Sequence, residues 1–376
     1  MKKKILNVLF NDFTNDNRVL KESRSLQNNS YEVRLLATHF KKELAKRETI
    51  ENFKIERLNT GKLNFLPLSL IIFWIKIVFI YNKEDIIHAN DLYALPPAVF
   101  IKRFINKRVK IVYDCHEHET EGRIYLDKPY MKFFAKFFER KLIYMVDEVI
   151  TVSESIAQDY VQMYRIKKPA LVMNCPVLKN ERGKNYDLFR EQFGISKDKT
   201  IFLLQGGYMP GRGYKRLIEV FKEMEKINPN LVLVFLVYGE GTEELKEAIK
   251  DSKNMYWHEK VPVLEYMKYV KSADWGILLL ENLCRSYDFS LPNKLFDYIG
   301  GGLPVIVSNL KELSNFVEKN KVGYIVDSSL INNVAKILKN IDHKSKLKFS
   351  KNLIATSVKY SWEEQEKVLL KIYNSL

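Results

Sequence analysis

Short apolar runs separated by helix-like stretches occur in two series along this chain, and that alternation limits the fold more than any other feature. KILNVLF, YEVRLLAT, DIIHAN, VKIVYDC and DEVITVS have the length and composition of buried strands, with helical stretches such as Arg18 to Asn28 between them. A polar stretch over residues 178–200 reads as a linker, and the series then restarts with TIFLLQGG, LVLVFLVYG, ADWGILLL and LPVIVS. Strands alternating with helices form parallel sheets covered on both faces. The pattern predicts an α/β protein of two Rossmann-like domains facing a cleft, residues 1–180 and 181–360, with ligands at the carboxyl ends of the strands.

A length of 376 residues fits two domains, and 46% hydrophobic residues excludes a disordered chain. Cys115, Cys175 and Cys284 lie far apart with no CxxC pair, which fits a reducing compartment and argues against a disulfide or zinc framework. MKKKILNVLF has too short an apolar run for a signal peptide and reads as a first strand. The net charge is +15, and residues 1–180, with 31 Lys and Arg against 21 Asp and Glu, hold +10 of it. Such a surface suits an anionic partner: nucleic acid, anionic lipid or a phosphate-bearing substrate. No nucleic-acid motif is present, so nucleic acid is not expected.

The densest chemistry lies in DFSLPNKLFDYIGGGLPVI, from Asp288 to Ile306. Ser290 has the chemistry of an N-cap and Pro292 suits the first helical turn. Asp297 lies four residues after Asn293 and three after Lys294, so all three can face one ligand. A helix N-terminus carrying a lysine and an aspartate suits a phosphate joined to a diol, although helix–Gly–strand is also common as plain structure. A second segment, LLQGGYMPGRGYKRLIEVF, ends a strand at Gly206–Gly207 and begins a helix near Tyr214, with Arg212 and Lys215 offering charge to an anion. It is neither a Walker A loop nor GxGxxG. VYGEGTEEL provides a third turn at Gly239.

These segments, with RVLKESRSL, VYDCHEHE, EVITVSESIAQDY and VPVLEYMKYVKSADWGILLL in order between and around them, resemble the family 4 glycosyltransferases of GT-B fold, bacterial polysaccharide and glycolipid type, over most of the chain. The closing YSWEEQEKVLLKIYNSL resembles that family's terminal helix, implying that residues 361–376 return to the N-terminal domain. The resemblance implies a retaining, metal-independent transfer of a sugar from a nucleotide diphosphate, UDP foremost, to a glycan or lipid-linked acceptor. It implies an acceptor-binding N-terminal domain and a nucleotide-sugar-binding C-terminal domain, with no cofactor. By position Arg212 matches the diphosphate binder, Asp297 the acid on the ribose, and Lys260–Val261 the main chain at the base. Gly206, Gly207, Lys215, Gly239, Ser290, Asn293 and Lys294 complete the expected donor side. The chain departs from the family at Phe289, where a first glutamate is usual, and at Gly207, where an arginine is usual. No DxD motif is present and no metal is expected.

DCHEHETE has three readings: a metal pair of His116 and His118, a solvated loop, or a catalytic loop, which the resemblance favours through His116 and Glu117. Asp16 either caps the first helix or, with Arg18, faces an anionic acceptor; His88 and Asp91 in HANDLYALPP join them on the acceptor side. Leu63 to Tyr81 approaches the length of a membrane span but contains Pro67, Ser69 and Lys76, so a buried or surface-seeking helix is expected. PYMKFFAKFFERKLIYMV puts phenylalanines at helical spacing among Lys132, Lys136, Arg140 and Lys141. It either packs its Phe face on the sheet or lies in an anionic membrane surface, which would place the protein in the cytoplasm against the inner face of the membrane. The rival functions are a nucleotide-sugar epimerase and a non-enzymatic membrane- or nucleic-acid-binding protein.

Overall fold

The structure is a computed structural model that describes residues 2–14, 16–61, 66–179, 181, 183–263, 265–327, 331–342 and 344–376. The chain forms two compact units, residues 1–174 with 365–376, and residues 175–364.

The first unit runs β1 (Lys3–Val8), α1 (Asn17–Asn28), β2 (Tyr31–Thr38), β3 (Arg47–Ile50), β4 (Phe53–Leu58), α2 (Leu66–Ile80), β5 (Ile86–Asn90), α3 (Asp91–Phe100), β6 (Lys110–Cys115), α4 (Pro129–Leu142), β7 (Glu148–Thr151), α5 (Glu154–Tyr164) and β8 (Ala170–Leu171). Its eight strands take the order β3-β4-β2-β1-β5-β6-β7-β8. All neighbours are parallel except the β3–β4 pair at the edge. β1, β5 and β6 are buried along most of their length, as central parallel strands must be. Strand order reverses between β1 and β5, and the carboxyl ends of those two strands are where a doubly wound sheet takes a ligand.

The second unit runs α6 (Leu188–Phe193), β9 (Thr200–Gly207), α7 (Tyr214–Ile227), β10 (Leu231–Tyr238), α8 (Glu243–Ile249), β11 (Met255–Trp257), α9 (Tyr266–Val270), β12 (Trp275–Leu278), α10 (Arg285–Asp288), α11 (Asn293–Gly300), β13 (Val305–Ser308), α12 (Lys311–Asn320), β14 (Gly323–Val326), α13 (Ile331–Lys339) and α14 (Ser350–Lys359). The sheet order β11-β10-β9-β12-β13-β14 is parallel throughout and reverses between β9 and β12. Gly276 of β12 is required by packing, because a Cβ there would stand 2.3 Å from the Tyr298 ring of α11.

The expected linker over 178–200 is part of this second unit, although residues 180 and 182 lie outside the described residues. Its helix α6 buries Phe189 against Tyr269 and His258, which ties a polar sequence to the core through one ring. The last helix, α15 (Trp362–Asn374), ends on the first unit. Tyr373 meets His88 there, and the Tyr31 hydroxyl donates to Asn374 at 3.0 Å.

Residues 63–65 of the long apolar stretch lie outside the described residues; the remainder is α2. Among the described residues no helix is long and apolar enough to cross a membrane.

Candidate active site

In the second unit β9 ends at the strand-order switch in Gly206 and Gly207. Gly206 has φ +105°, and a Cβ there would lie 2.5 Å from Lys294 Cε and 2.9 Å from Nζ. The Lys294 side chain therefore crosses the end of β9 in space that only glycine leaves open. Arg212 reaches the same strand end, donating from Nη1 to the Gly207 carbonyl at 3.0 Å, while its Nε is buried without a partner. Neither cation has a carboxylate oxygen within 4.0 Å among the described residues. Burial, then the positive charge of Arg212, push the Lys294 ammonium well below its usual range, against the smaller pull of Asp297. Asp297 faces the Tyr266 hydroxyl, which burial and then that carboxylate hold well above its usual range. Gln205 donates to the same hydroxyl at 3.4 Å and keeps a buried, unpartnered Oε1. The arrangement suits an anion, with two basic side chains at a switch point beside a helix whose N-cap, Pro292, makes no side-chain cap.

Several expected donor residues are placed differently. Ser290 does not cap α11; its hydroxyl donates to the Tyr287 carbonyl at 2.9 Å, because the short α10 ends just before it. Pro292 stands outside the first turn, as N-cap, with φ −62° and ψ 144°. Asn293 is exposed, whereas Lys294 and Asp297 are half-buried. Lys215 turns to Glu244 at 2.6 Å on the exposed side. Gly239 turns the chain after β10 with φ +119°. Val261 is half-buried, and its neighbour Lys260 lies 5.0 Å over the Tyr238 ring.

In the first unit the carboxyl ends of β5 and β6 bring Asn90, Asp91, Asp114 and His116 together. His116 Nε2 is 3.2 Å from Asn90 Oδ1 and 3.3 Å from Asp114 Oδ2; its Nδ1 is 3.6 Å from Asp91 Oδ1. Burial alone would lower the imidazole, but Asp91 and Asp114 together raise it to about 10. The two carboxylates thus favour the charged imidazolium form of His116, which suits it to act as a charge and a donor. Asp91 holds φ +60° at the start of α3 and shares a hydrogen bond with Glu119, whose carboxyl is pushed well above its usual range by burial and then by Asp91. Glu119 also accepts from Leu92 N at 2.9 Å. Glu117 is exposed.

Arg18 does not face an acceptor. It is buried, bidentate to Asp114 at 2.7 and 2.9 Å, and donates to the Val172 carbonyl at 2.6 Å. Asp16 caps α1, accepting from Val19 N at 3.2 Å. His88 is buried too, bonded through Nδ1 to Tyr373, with Nε2 3.4 Å from Asp114 and 3.5 Å from Glu22. The His116–His118 metal pair does not exist, because His118 Nε2 turns inward to Asp159 at 2.7 Å. Among the described residues the one group of three whose ligand atoms all lie within 4.8 Å of one another is Glu22, His88 and Asp114. The Arg18 guanidinium already pairs with both carboxylates, so that cluster holds its cation as a side chain.

Sequence reading missed Tyr266 and Glu119 in these roles. Tyr266 lies far in sequence from Asp297 and carries no local signal, whereas Glu119 sits in the acidic cluster after β6, where only the bend of the loop reveals its partner.

Two parallel-sheet units with a returning helix define a class, the GT-B proteins. The profile of Glycosyltransferase Family 4 matches residues 17–177, and that of Glucosyltransferase 3-like, C-terminal domain, matches residues 217–361. The first profile likens residues 17–177 to glycosyltransferase family 4, and the chain has the GT-B fold. It is similar to the chitobiosyldiphosphodolichol beta-mannosyltransferase of Kluyveromyces lactis, at 28% identity over 61% of this chain and 56% of that one; the chain thus spans little more than half the length of that curated relative. Its fold is similar to sucrose-phosphate synthase from Thermosynechococcus elongatus, with TM-score 0.80, 15% identity and coverage of 100% and 99% of the two chains. It is similar also to Anabaena HepE in complex with UDP-glucose, with TM-score 0.73, 15% identity and coverage of 99% and 100%.

Proposed function

We propose that this protein moves a sugar from a nucleoside diphosphate donor, UDP foremost, to a glycan or lipid-linked acceptor in cell-surface polysaccharide synthesis, with retention of configuration and without a metal. One observation carries the reading: Lys294 and Arg212 converge on the Gly206–Gly207 strand end without a carboxylate partner, which leaves two cations for a diphosphate. The Anabaena structure with UDP-glucose and the relative named for a diphosphodolichol substrate support the donor and acceptor classes.

In the reaction the bond from the anomeric carbon to the diphosphate breaks and a bond to the acceptor oxygen forms. The acceptor proton passes to the departing diphosphate oxygen, so no protein base is needed. Arg212 and Lys294 stabilise the charge that develops on the diphosphate, and Asp297 holds the ribose hydroxyls. His116, as an imidazolium, donates hydrogen bonds and positive charge on the acceptor-binding unit.

The test is thermal stabilisation by UDP, GDP, ADP, CMP and dTDP, followed by turnover of the matching nucleotide sugar with and without a polyprenyl-diphosphate sugar acceptor. Selective stabilisation and acceptor-dependent release of the diphosphate are expected. Donor consumption without acceptor would instead make the protein an epimerase. The anomeric proton coupling of the product decides retention.

A further inference from the structure

Helix α4 is inside-out. Three of its polar residues reach back to the protein: Lys132 pairs with Glu121 at 2.6 Å, Lys136 pairs with the same carboxylate, and buried Glu139 accepts from the hydroxyls of Tyr113 and Tyr160 at 2.8 and 2.7 Å, while Arg140 and Lys141 are exposed. Its phenylalanines face away. Phe133, Phe134, Phe137 and Phe138 are each about half exposed or more, with Phe133 at 67%. These four contacts and a bond from the Tyr164 hydroxyl to Glu139 fix the orientation, so the ring face cannot roll onto the sheet without breaking them.

The neighbouring helices repeat the arrangement. α3 packs against both α2 and α4, and Trp74 of α2 donates to the Tyr93 carbonyl of α3 at 2.7 Å. α2 exposes Leu68, Ile71, Ile75 and Phe79 along one stripe, with Phe79 at 77%. α3 continues into a π turn, Ile101–Ile105, which exposes Phe104 and Ile105 beside Phe100. An apolar face of this extent on a folded unit marks an interaction surface. On α2, the π turn and α4 the basic residues are Lys76, Lys102, Arg103 and the four of α4, while the only acid is Glu139, which is buried.

We propose that α2, the π turn and α4 form one docking surface for an anionic lipid bilayer, with the aromatic and aliphatic stripes seated at the headgroup level. Aromatic rings interleaved with cations and no exposed acid are complementary to anionic headgroups. A second copy of the same face would set cations against cations, which disfavours self-association. The inference stands apart from the transferase reading, since it needs neither donor nor acceptor.

The test is flotation of the full chain with vesicles of phosphatidylcholine alone and of an equal mixture with phosphatidylglycerol. Binding to the mixed vesicles, weakened by salt and roughly tenfold or more weaker in F134S/F138S, is expected. F79S on α2 should weaken it as well, which covers the case in which the α4 variant fails to fold. The proposal is overturned if the folded wild type floats with neither vesicle. Folded variants of both helices that bind like wild type would overturn it, as would a stable dimer in solution whose association F134S/F138S abolishes.

Discussion

The side chain of Lys294 lies over the backbone of Gly206, where a Cβ would stand 2.5 Å from its terminal carbon. Gly206→Ala would strain a positive φ and displace the lysine together. The expected outcome is a stability loss of about 1–2 kcal/mol, with a disproportionate loss of nucleoside diphosphate affinity. Calorimetric titration beside a denaturation curve checks it; affinity that falls no more than stability explains would place the diphosphate elsewhere.

Lys294 is held below its usual range by burial and by Arg212. A diphosphate arriving between Lys294 and Arg212 opposes that shift, so at a pH where the free lysine is partly deprotonated it takes up a proton as the ligand binds. Between the free and bound pKa values affinity should therefore fall as pH rises. Titrations in buffers of different ionisation enthalpy measure the proton directly, and Lys294→Met should abolish it.

Arg212→Ala removes full charge from the strand end without emptying a core position. Turnover should fall roughly 100- to 1000-fold while the fold is kept. Asp297→Asn should weaken nucleotide binding by about 1–2 kcal/mol, with less effect on the chemical step. Equal turnover in Arg212→Ala and wild type would remove this residue from the site.

His116 should titrate near 10, observed by NMR of its imidazole carbon-bound proton. The folded value lies above the ordinary value of about 6.5. Its stabilising contribution is thus complete below that ordinary value and is lost as pH rises toward 10. Asp91→Asn keeps a residue that tolerates positive φ but removes the charge, and should lower the titration midpoint. A midpoint near the ordinary value in wild type would refute the imidazolium.

Arg18→Met should be severe. It leaves Asp114 and Glu22 buried without their cation, a loss of about 3–5 kcal/mol. Urea denaturation measures it. A variant as stable as wild type would show that the pair contributes little.

The two-series alternation was enough to read both parallel sheets and the fold class, because a strand buried on two faces leaves a continuous apolar run such as LVLVFLV. That Arg212 follows a glycine turn at a strand end and that Lys294 and Asp297 lie in a short helix was legible, because glycine turns and a helix start carry local signatures. Arg18 was not, since a buried ion pair with Asp114 joins residues far apart in sequence. The orientation of α4 was equally hidden. Its periodicity separates a phenylalanine face from a basic face, but which one turns inward depends on Glu121 and three tyrosines supplied by other segments.

The return of α15 to the first unit makes residues 175–364 an uninterrupted stretch, while the first unit is divided by them. During synthesis the order of maturation is then reversed from the usual N-terminal-first sequence. The second unit has all its residues once position 364 has left the ribosome, but His88 must wait for Tyr373. A nascent chain stalled short of that tyrosine would carry a finished second unit and an unfinished first one.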